Sequence, residues 1–291
     1  MLQSKNPKVS VVIPVYKPDE EVFVKMKEML KTQTVPVEIV EKWNNPEAVS
    51  MNLGVKEANG EIIVILAQDC VPENEHYIEK MIKPLEKNDV VAVVSDLILP
   101  VEHWEKRPFF VRMFTISDLK IKKPAMNLSS CAYRKKDLEK VGYISENVSA
   151  IDIDFARKIR NVGKIERGNA VIYHIHPHYG YKKMLKTFYS YSRFNGIVIR
   201  EEGAKNINNL QRLLRATPIL GFGSIYFRYP WKKKFYLAPL HFFTAGVIEH
   251  AVNVIGFWHG FFFGDADGGS RNKEVLSESK KKILEEQNKK D

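Results

Sequence analysis

The chain has 291 residues, 44% of them hydrophobic and 27% charged, with a formal net charge of +10. That balance excludes a disordered polymer and leaves room for one large α/β domain, or one domain with an appendage. Two cysteines, Cys70 and Cys131, are too few for a disulfide framework, and no CxxC pair or Cys/His array suggests zinc, so a reducing compartment is expected.

The opening MLQSKNPKVSVVIP passes from a polar lead directly into a strand, without the long apolar core of a signal peptide, which favours a cytoplasmic location. Val9 to Val15 is a continuous β-branched run, as expected of a strand buried on both faces. Asp19 can cap a helix in which Val22, Met26, Met29 and Leu30 recur at helical spacing. Val35 to Val40 reads as a short strand, and the next helix starts at Asn45-Pro46 and closes at Asn59-Gly60. Ile62 to Leu66 is again apolar throughout, yet the run stops at Ala67, Gln68 and a carboxylate, Asp69. A helix from about Asn74 to Lys87 and the strand DVVAVVSD follow. Strands alternating with helices imply a mostly parallel, doubly wound sheet, in which ligands sit beyond the carboxyl ends of the strands. Asp69 and the PVYK segment after the first strand should both lie at that edge.

Residues 97 to 125 are less regular and fit either a flap over a site or a packed excursion. Beyond them NLSSCAYRKKDLEKVG reads as a strand and a helix ending at Gly142. SAIDIDFARKIRNVG reads as a helix with Asp152 and Asp154 in its first turn, where acids suit the helix dipole, and Gly163 just past its end. NAVIYHIHPHYG is a strand whose His174 and His176 share a face.

The excess charge is local. Residues 181 to 240 hold twelve Lys and Arg against Glu201 and Glu202, so the remainder of the chain sums to zero. Aromatic and aliphatic residues interleave with these charges, and RYPWKKKFYLAPLHFF leads into a mostly apolar stretch over 235–264. That pattern favours an anionic lipid surface over nucleic acid. An interfacial helix or hairpin, a packed helix and a single membrane segment all fit 235–264, although Pro239, Glu249, Asn253 and three histidines weigh against a simple span. The expected organisation is a catalytic domain over 1–180, a basic and apolar helical membrane-associating region over 181–265, and a charged tail over 266–291.

In this order, VSVVIPVYKPDEE, SMNLGVKEANGEIIVIL, LAQDCVPEN, NLSSCAYRKKDLEKVG, IDIDFARKI and VIYHIH resemble the motifs of the family 2 glycosyltransferases of GT-A fold, most closely a rhamnosyltransferase-like branch. The resemblance covers about residues 8 to 200. It implies an inverting hexosyltransferase that moves a sugar from a nucleotide-diphosphate donor to an acceptor hydroxyl in polysaccharide or glycan biosynthesis, while the basic and apolar C-terminal pattern suits a lipid-linked or glycan acceptor and a peripheral enzyme on the inner face of the cell membrane. By the same resemblance Mg²⁺ or Mn²⁺ would be held by Asp69, with His174 or else His176. Asp152 would be the base, and Pro14, Val15, Tyr16, Asn44, Asn52 and Gln68 would surround the donor. The chain departs from the family pattern at Ala67, Ile151 and Lys158, which stand where the family usually has an acid or Thr, Glu and Arg. A catalytically inactive membrane-associated scaffold is the alternative these departures raise.

Overall fold

The structure, a computed structural model, describes residues 9–119, 126–146, 148, 150–175, 180–205, 207–228 and 238–264. These form two compact units, one comprising described residues up to 98 and 126–175, the other comprising 99–119 and 180–264.

The first unit is a seven-stranded sheet of β1 (Val9–Val15), β2 (Val37–Trp43), β3 (Ile62–Leu66), β4 (Cys70–Pro72), β5 (Val90–Ile98), β6 (Ser130–Arg134) and β7 (Lys164–His174), in the order β2-β1-β3-β6-β5-β7-β4. β1 is parallel to β2 and β3, and β5 to β7, whereas β6 runs antiparallel to β3 and β5, and β4 antiparallel to β7. The expected α/β class, a mostly parallel sheet flanked by helices, therefore holds.

The continuous apolar runs arise because both faces are covered. Val9, Val11, Ile13, Val64 and Leu66 bury against Phe23, Met26 and Leu30 of α1 (Glu20–Lys31) and Tyr77, Ile78 and Met81 of α3 (Tyr77–Ile82). The alternate residues Val12, Ile63 and Ile65 bury against α2 (Glu47–Glu57), Leu138 of α6 (Lys135–Val141), and Phe155 and Ile159 of α7 (Ile151–Arg160). At about 1.5–3 kcal/mol for each large side chain taken from water, these two layers dominate the stability of the unit. Asp19 caps α1 as its position suggests, its carboxylate accepting from the Val22 N–H at 3.2 Å. Gly142 ends α6 in the left-handed region at φ 78°.

The sheet is curled. Only four residue steps separate Leu66 from Cys70, a reach of ~14 Å at most. In a flat sheet the four strand spacings from β3 to β4 would need ~19 Å. The bend is concentrated in β7, where the register against β5 jumps from Arg167 opposite Val94 to Val171 opposite Asp96, and Asn169 within the jump takes φ 51°. Such bulges sharpen twist and bend a strand. This bulge hid the first half of β7, which starts at Lys164 rather than near Asn169.

In the second unit α4 (Val101–Glu105) and α5 (Phe109–Thr115) make residues 99–119 of the irregular segment a packed excursion. Leu99, Trp104, Ile116 and Leu119 bury together, and the Trp104 Nε1 donates to the Arg112 carbonyl at 3.1 Å. Residues 99–119 group with the C-terminal residues. There α8 (Tyr181–Glu202), α9 (Ile207–Arg215), α10 (Pro218–Arg228) and the short α11 (Ala238–Leu240) precede a π-helical turn, His241–Gly246, and α12 (Val247–Phe263). α12 lies against α8 through glycines at every fourth place. A Cβ on Gly256 would stand 2.7 Å from the Tyr189 carbonyl, and one on Gly260 would run into the Arg193 carbonyl. Among the described residues no helix is long and apolar enough to cross a membrane. Helices α9, α10 and α12 nevertheless expose Ile207, Leu214, Ile219, Ile255, Phe262 and Phe263.

Candidate functional site

The buried strand β3 is a rod that ends at the carboxyl edge of the sheet, where a turn closed by the Cys70 N–H on the Ala67 carbonyl (3.0 Å) carries Asp69. The chain then pairs as β4 with the bent end of β7, placing Cys70 opposite His174 and Val71 opposite Tyr173. The Ile175 N–H donates to the Asp69 carbonyl at 2.8 Å, which fixes the turn from the other side. Two residues more than a hundred positions apart thus meet. The His174 Nε2 lies 3.4 Å from the Asp69 Oδ1, and their side chains keep 26% and 15% exposure.

Cys70 is the third member of this group, all of whose ligand atoms lie within 4.8 Å of one another. Its thiol is fully buried, and burial first, then the charge of Asp69, pushes its pKa well above the ordinary thiol range. Mg²⁺ and Mn²⁺ prefer oxygen donors to sulfur, so for such an ion the donor set is the Asp69 carboxylate and the His174 imidazole. Two donors sharing an ion at about 2.1 Å stand ~3.0–3.5 Å apart, which the Asp69–His174 separation matches. A carboxylate with phosphate oxygens and water suits Mg²⁺ and Mn²⁺, the imidazole nitrogen is better tolerated by Mn²⁺ than by Mg²⁺, and so sparse a protein set leaves positions for those oxygens. The residues fit a divalent ion of that kind. His176 lies outside the described residues.

Around this edge the parallel strands deliver the other candidates. Pro14 and Val15 end β1, and Tyr16 follows them. The Gln68 amide clasps the Tyr16 backbone on both sides, its Oε1 accepting from the Tyr16 N–H at 2.7 Å and its Nε2 donating to the Tyr16 carbonyl at 2.9 Å. Gln68 thereby ties the end of β1 to the turn that carries Asp69. Asn44, at φ 60°, donates its N–H to the Val15 carbonyl at 2.9 Å, closing the end of β2 onto β1. The Lys17 ammonium sits 5.1 Å from the centre of the Tyr16 ring. Asn52 has a different part. It is buried, its Nδ2 donates to the Ile144 carbonyl and to Glu146 at 2.8 Å each, and its Oδ1 accepts from the Ile144 N–H at 3.1 Å. Its amide holds the approach to α7 rather than facing a ligand.

Asp152 stands in the first turn of α7, half-buried, with its Oδ1 accepting from the Ile153 N–H at 2.9 Å. It is not a member of the Asp69 group. Its direction follows from the packing. α7 ends at Arg160 and passes within three residues into the start of β7, while Phe155 meets Tyr133 edge-on at 5.5 Å in mid-sheet. At about 1.5 Å per residue, Asp152 lies ~5 Å further from the start of β7 than Phe155, on the side of the carboxyl edge. Asp154 is committed locally, accepting from the Ser145 Oγ at 2.6 Å and pairing with Arg157 and Lys158 at 3.8 and 3.6 Å.

Two features had no sequence signal. Cys70 reads as an apolar turn residue until β4 pairs with β7. Asp96, 3% exposed, takes both arms of Arg167 in a bidentate pair beside the β7 bulge, with Nε to Oδ1 at 2.5 Å. A separate cavity of about 1020 Å³ opens at the opposite edge of the sheet, bordered by Ile62 at the start of β3 and Arg134 at the end of β6.

Residues 24–142 match the model of the Glycosyl transferase family 2. Among curated proteins no match was found. Among solved structures, the mannosyltransferase PcManGT from Pyrobaculum calidifontis, in complex with GDP-Man and Mn²⁺, is 15% identical with a TM-score of 0.58, over 90% of this chain and 89% of that one. TarS residues 1–349 from S. aureus is 13% identical with a TM-score of 0.41, over 88% of this chain and 93% of that one. The chain has the GT-A fold, and residues 24–142 within it carry the glycosyl transferase family 2 match.

Proposed function

We propose that the protein transfers a sugar from a nucleoside-diphosphate donor to the hydroxyl of a lipid-linked or glycan acceptor, with a divalent ion, Mg²⁺ or Mn²⁺, at Asp69 and His174. The observation that carries this reading is the meeting of those two side chains at the carboxyl edge of a GT-A sheet. The donor complexed with the mannosyltransferase relative, GDP-Man with Mn²⁺, supports a nucleotide sugar here too. Rhamnose, mannose and other hexoses remain within the reading.

An ion bound by Asp69 and His174 would neutralise the charge that develops on the diphosphate. Gln68 holds Tyr16 and the end of β1 in place for the base of the nucleotide. Asp152 takes the proton of the acceptor hydroxyl as its oxygen bonds to the anomeric carbon. The bond from that carbon to the diphosphate breaks on the opposite face. The products are an inverted glycoside and a nucleoside diphosphate, with the proton on Asp152. A positioned base is worth roughly 10²–10⁴ in rate.

The membrane side of the proposal is supported by the second unit. On α9, Ile207, Leu210 and Leu214 are exposed together on a helix that also carries Arg212 and Arg215, and Phe262 and Phe263 are exposed at the end of α12. Each Lys or Arg near an anionic leaflet adds ~1 kcal/mol of attraction. Such a surface suits an acceptor anchored in lipid, reached from the inner face of the cell membrane.

The test is a panel of nucleotide sugars assayed for Mn²⁺-dependent transfer to membrane extracts, with wild type and Asp152→Asn. The variant should lose roughly 10²–10⁴ in kcat while donor affinity stays within about threefold. Full activity in the variant would remove Asp152 from the mechanism. Membrane binding by wild type without transfer from any donor would favour the inactive scaffold.

A further inference from the structure

The strand that delivers His174 crosses an irregularity on the way. Ile165, Glu166 and Arg167 of β7 lie opposite Ala92, Val93 and Val94 of β5, but the next pairing sets Val171 opposite Asp96. Four steps of β7 thus span two of β5, and two surplus residues are taken up between Arg167 and Val171. Asn169, inside the bulge, takes φ 51°. Gly168 is wedged against α3, where a Cβ would stand 2.9 Å from the Met81 Sδ and 3.2 Å from the Lys80 carbonyl oxygen. Only Val171 to His174 remain of the strand beyond it, and Ile172 and Tyr173 pair with β5 on one side and β4 on the other.

The register of those four residues decides the site. Successive side chains of a strand point to opposite faces, so a slip of one residue would turn His174 away from Asp69. As built, the Ile175 N–H donates to the Asp69 carbonyl and the Glu73 N–H to the Val171 carbonyl, and Cys70 faces His174 between those bonds. Burial specifies this register weakly, since of Val171 to His174 only Ile172 is fully buried.

Asp96 and Arg167 supply the missing constraint. Arg167 is the last paired residue of β7 before the bulge, and Asp96 the first paired residue of β5 after it. The guanidinium takes the carboxylate with both arms, Nε to Oδ1 at 2.5 Å and Nη2 to Oδ2. Asp96 is buried while Arg167 keeps some exposure. A buried ion pair adds little net stability, because the desolvation of its charges offsets their attraction. What the planar fork offers is geometry, since it meets a carboxylate with both arms in few alignments. We infer that Asp96 and Arg167 are positioning residues, whose two-armed pair staples the β7 bulge and fixes the register that sets His174 against Asp69. The role of His174 itself rests on the transferase reading, whereas the register can be read without metal.

The full chain is compared with Asp96→Val/Arg167→Met, which replaces the pair by apolar side chains, and with Arg167→Lys, which keeps the charge and loses the fork. Metal-free nuclear magnetic resonance reads the register. In wild type a strong Overhauser contact should join the α-protons of Cys70 and His174, and the Ile175 amide should exchange slowly. In the double variant the melting temperature should stay within about 5 °C of wild type. The α-proton contact should nevertheless weaken and Ile175 exchange accelerate about tenfold or more. Mn²⁺ affinity should fall about tenfold or more, with Arg167→Lys between the two proteins in each readout. If the double variant does not fold, Arg167→Lys carries the comparison alone. A merely structural pair would change the melting temperature only, and contact and exchange unchanged in the folded variants would overturn the inference whatever the metal does. A lost contact with undiminished Mn²⁺ affinity would overturn it too. Loss of the register in the variants, with no Mn²⁺ bound even by wild type, would support the staple and count against the transferase reading alone.

Discussion

Gln68 offers a test of how the site is held. Its amide makes two hydrogen bonds to one residue, Tyr16, joining the end of β1 to the Asp69 turn. Gln68→Met keeps the length of the side chain and removes both bonds, leaving the N–H and carbonyl of Tyr16 without those partners. Each lost bond is worth about 0.5–1.5 kcal/mol, and both are only part-buried, so the total loss should be about 2 kcal/mol. For a unit of this size 1 kcal/mol moves the melting temperature by about 2–4 °C, which puts the expected fall at ~4–8 °C. Gln68→Glu can still accept from the Tyr16 N–H but faces the Tyr16 carbonyl with an acceptor and adds charge beside Asp69, so it should melt no higher than the Met variant. Calorimetric scans report the stability, and titration with GDP and UDP in Mn²⁺ reports whether the nucleotide edge has loosened. A melting temperature within 1 °C of wild type, with unchanged nucleotide affinity, would refute the idea that this clasp organises the site.

The glycine seam between α8 and α12 makes a paired prediction. Gly260→Leu should cost about 1–3 kcal/mol by forcing α12 away from the Arg193 carbonyl, whereas Gly223→Ala, in α10 with nothing within 4 Å of the new Cβ, should be neutral or stabilise by up to ~1 kcal/mol. Urea unfolding distinguishes them, and equal effects would contradict the packing. Cys70 and Cys131 are both fully buried, and burial pushes the Cys131 thiol up to about 12. At pH 8 only about 1 in 10⁴ of such a thiol is ionised. Ellman's reagent should therefore find almost no reactive thiol in the native protein and two in denaturant, and rapid native labelling would show that this core opens readily.

What the sequence reveals here follows the range of the interaction that sets each feature. β1 and β3 are legible because burial on both faces requires an unbroken apolar run. Asp69 is legible because a strand that ends in a polar turn has few places to go but the carboxyl edge. β4 is not, since Cys-Val-Pro becomes a strand only through pairing with residues 172–174, a hundred positions away. The polar first half of β7 was obscured by the bulge at Gly168–Ala170, which breaks the alternation a strand would show. Asn52 and Gln68 illustrate the limit for polar residues. The family resemblance sets both beside the donor, but only the fold reveals that Gln68 spends its amide on the Tyr16 backbone and Asn52 on the Ile144 backbone and the Glu146 carboxylate. The seam of Gly256, Gly260 and Gly264 did carry a signal, small residues at every fourth position, which was masked by the sheer apolarity of the stretch around it.

The central claim is that Asp69 and His174 share one divalent ion on which a nucleoside diphosphate is held. Electron paramagnetic resonance of Mn²⁺, free against bound, measured with and without GDP or UDP, tests it most directly. The account predicts one Mn²⁺ bound per chain, tightened by the nucleotide, with the affinity reduced at least tenfold in Asp69→Asn and in His174→Ala. Undiminished Mn²⁺ and nucleotide binding in both variants would contradict it.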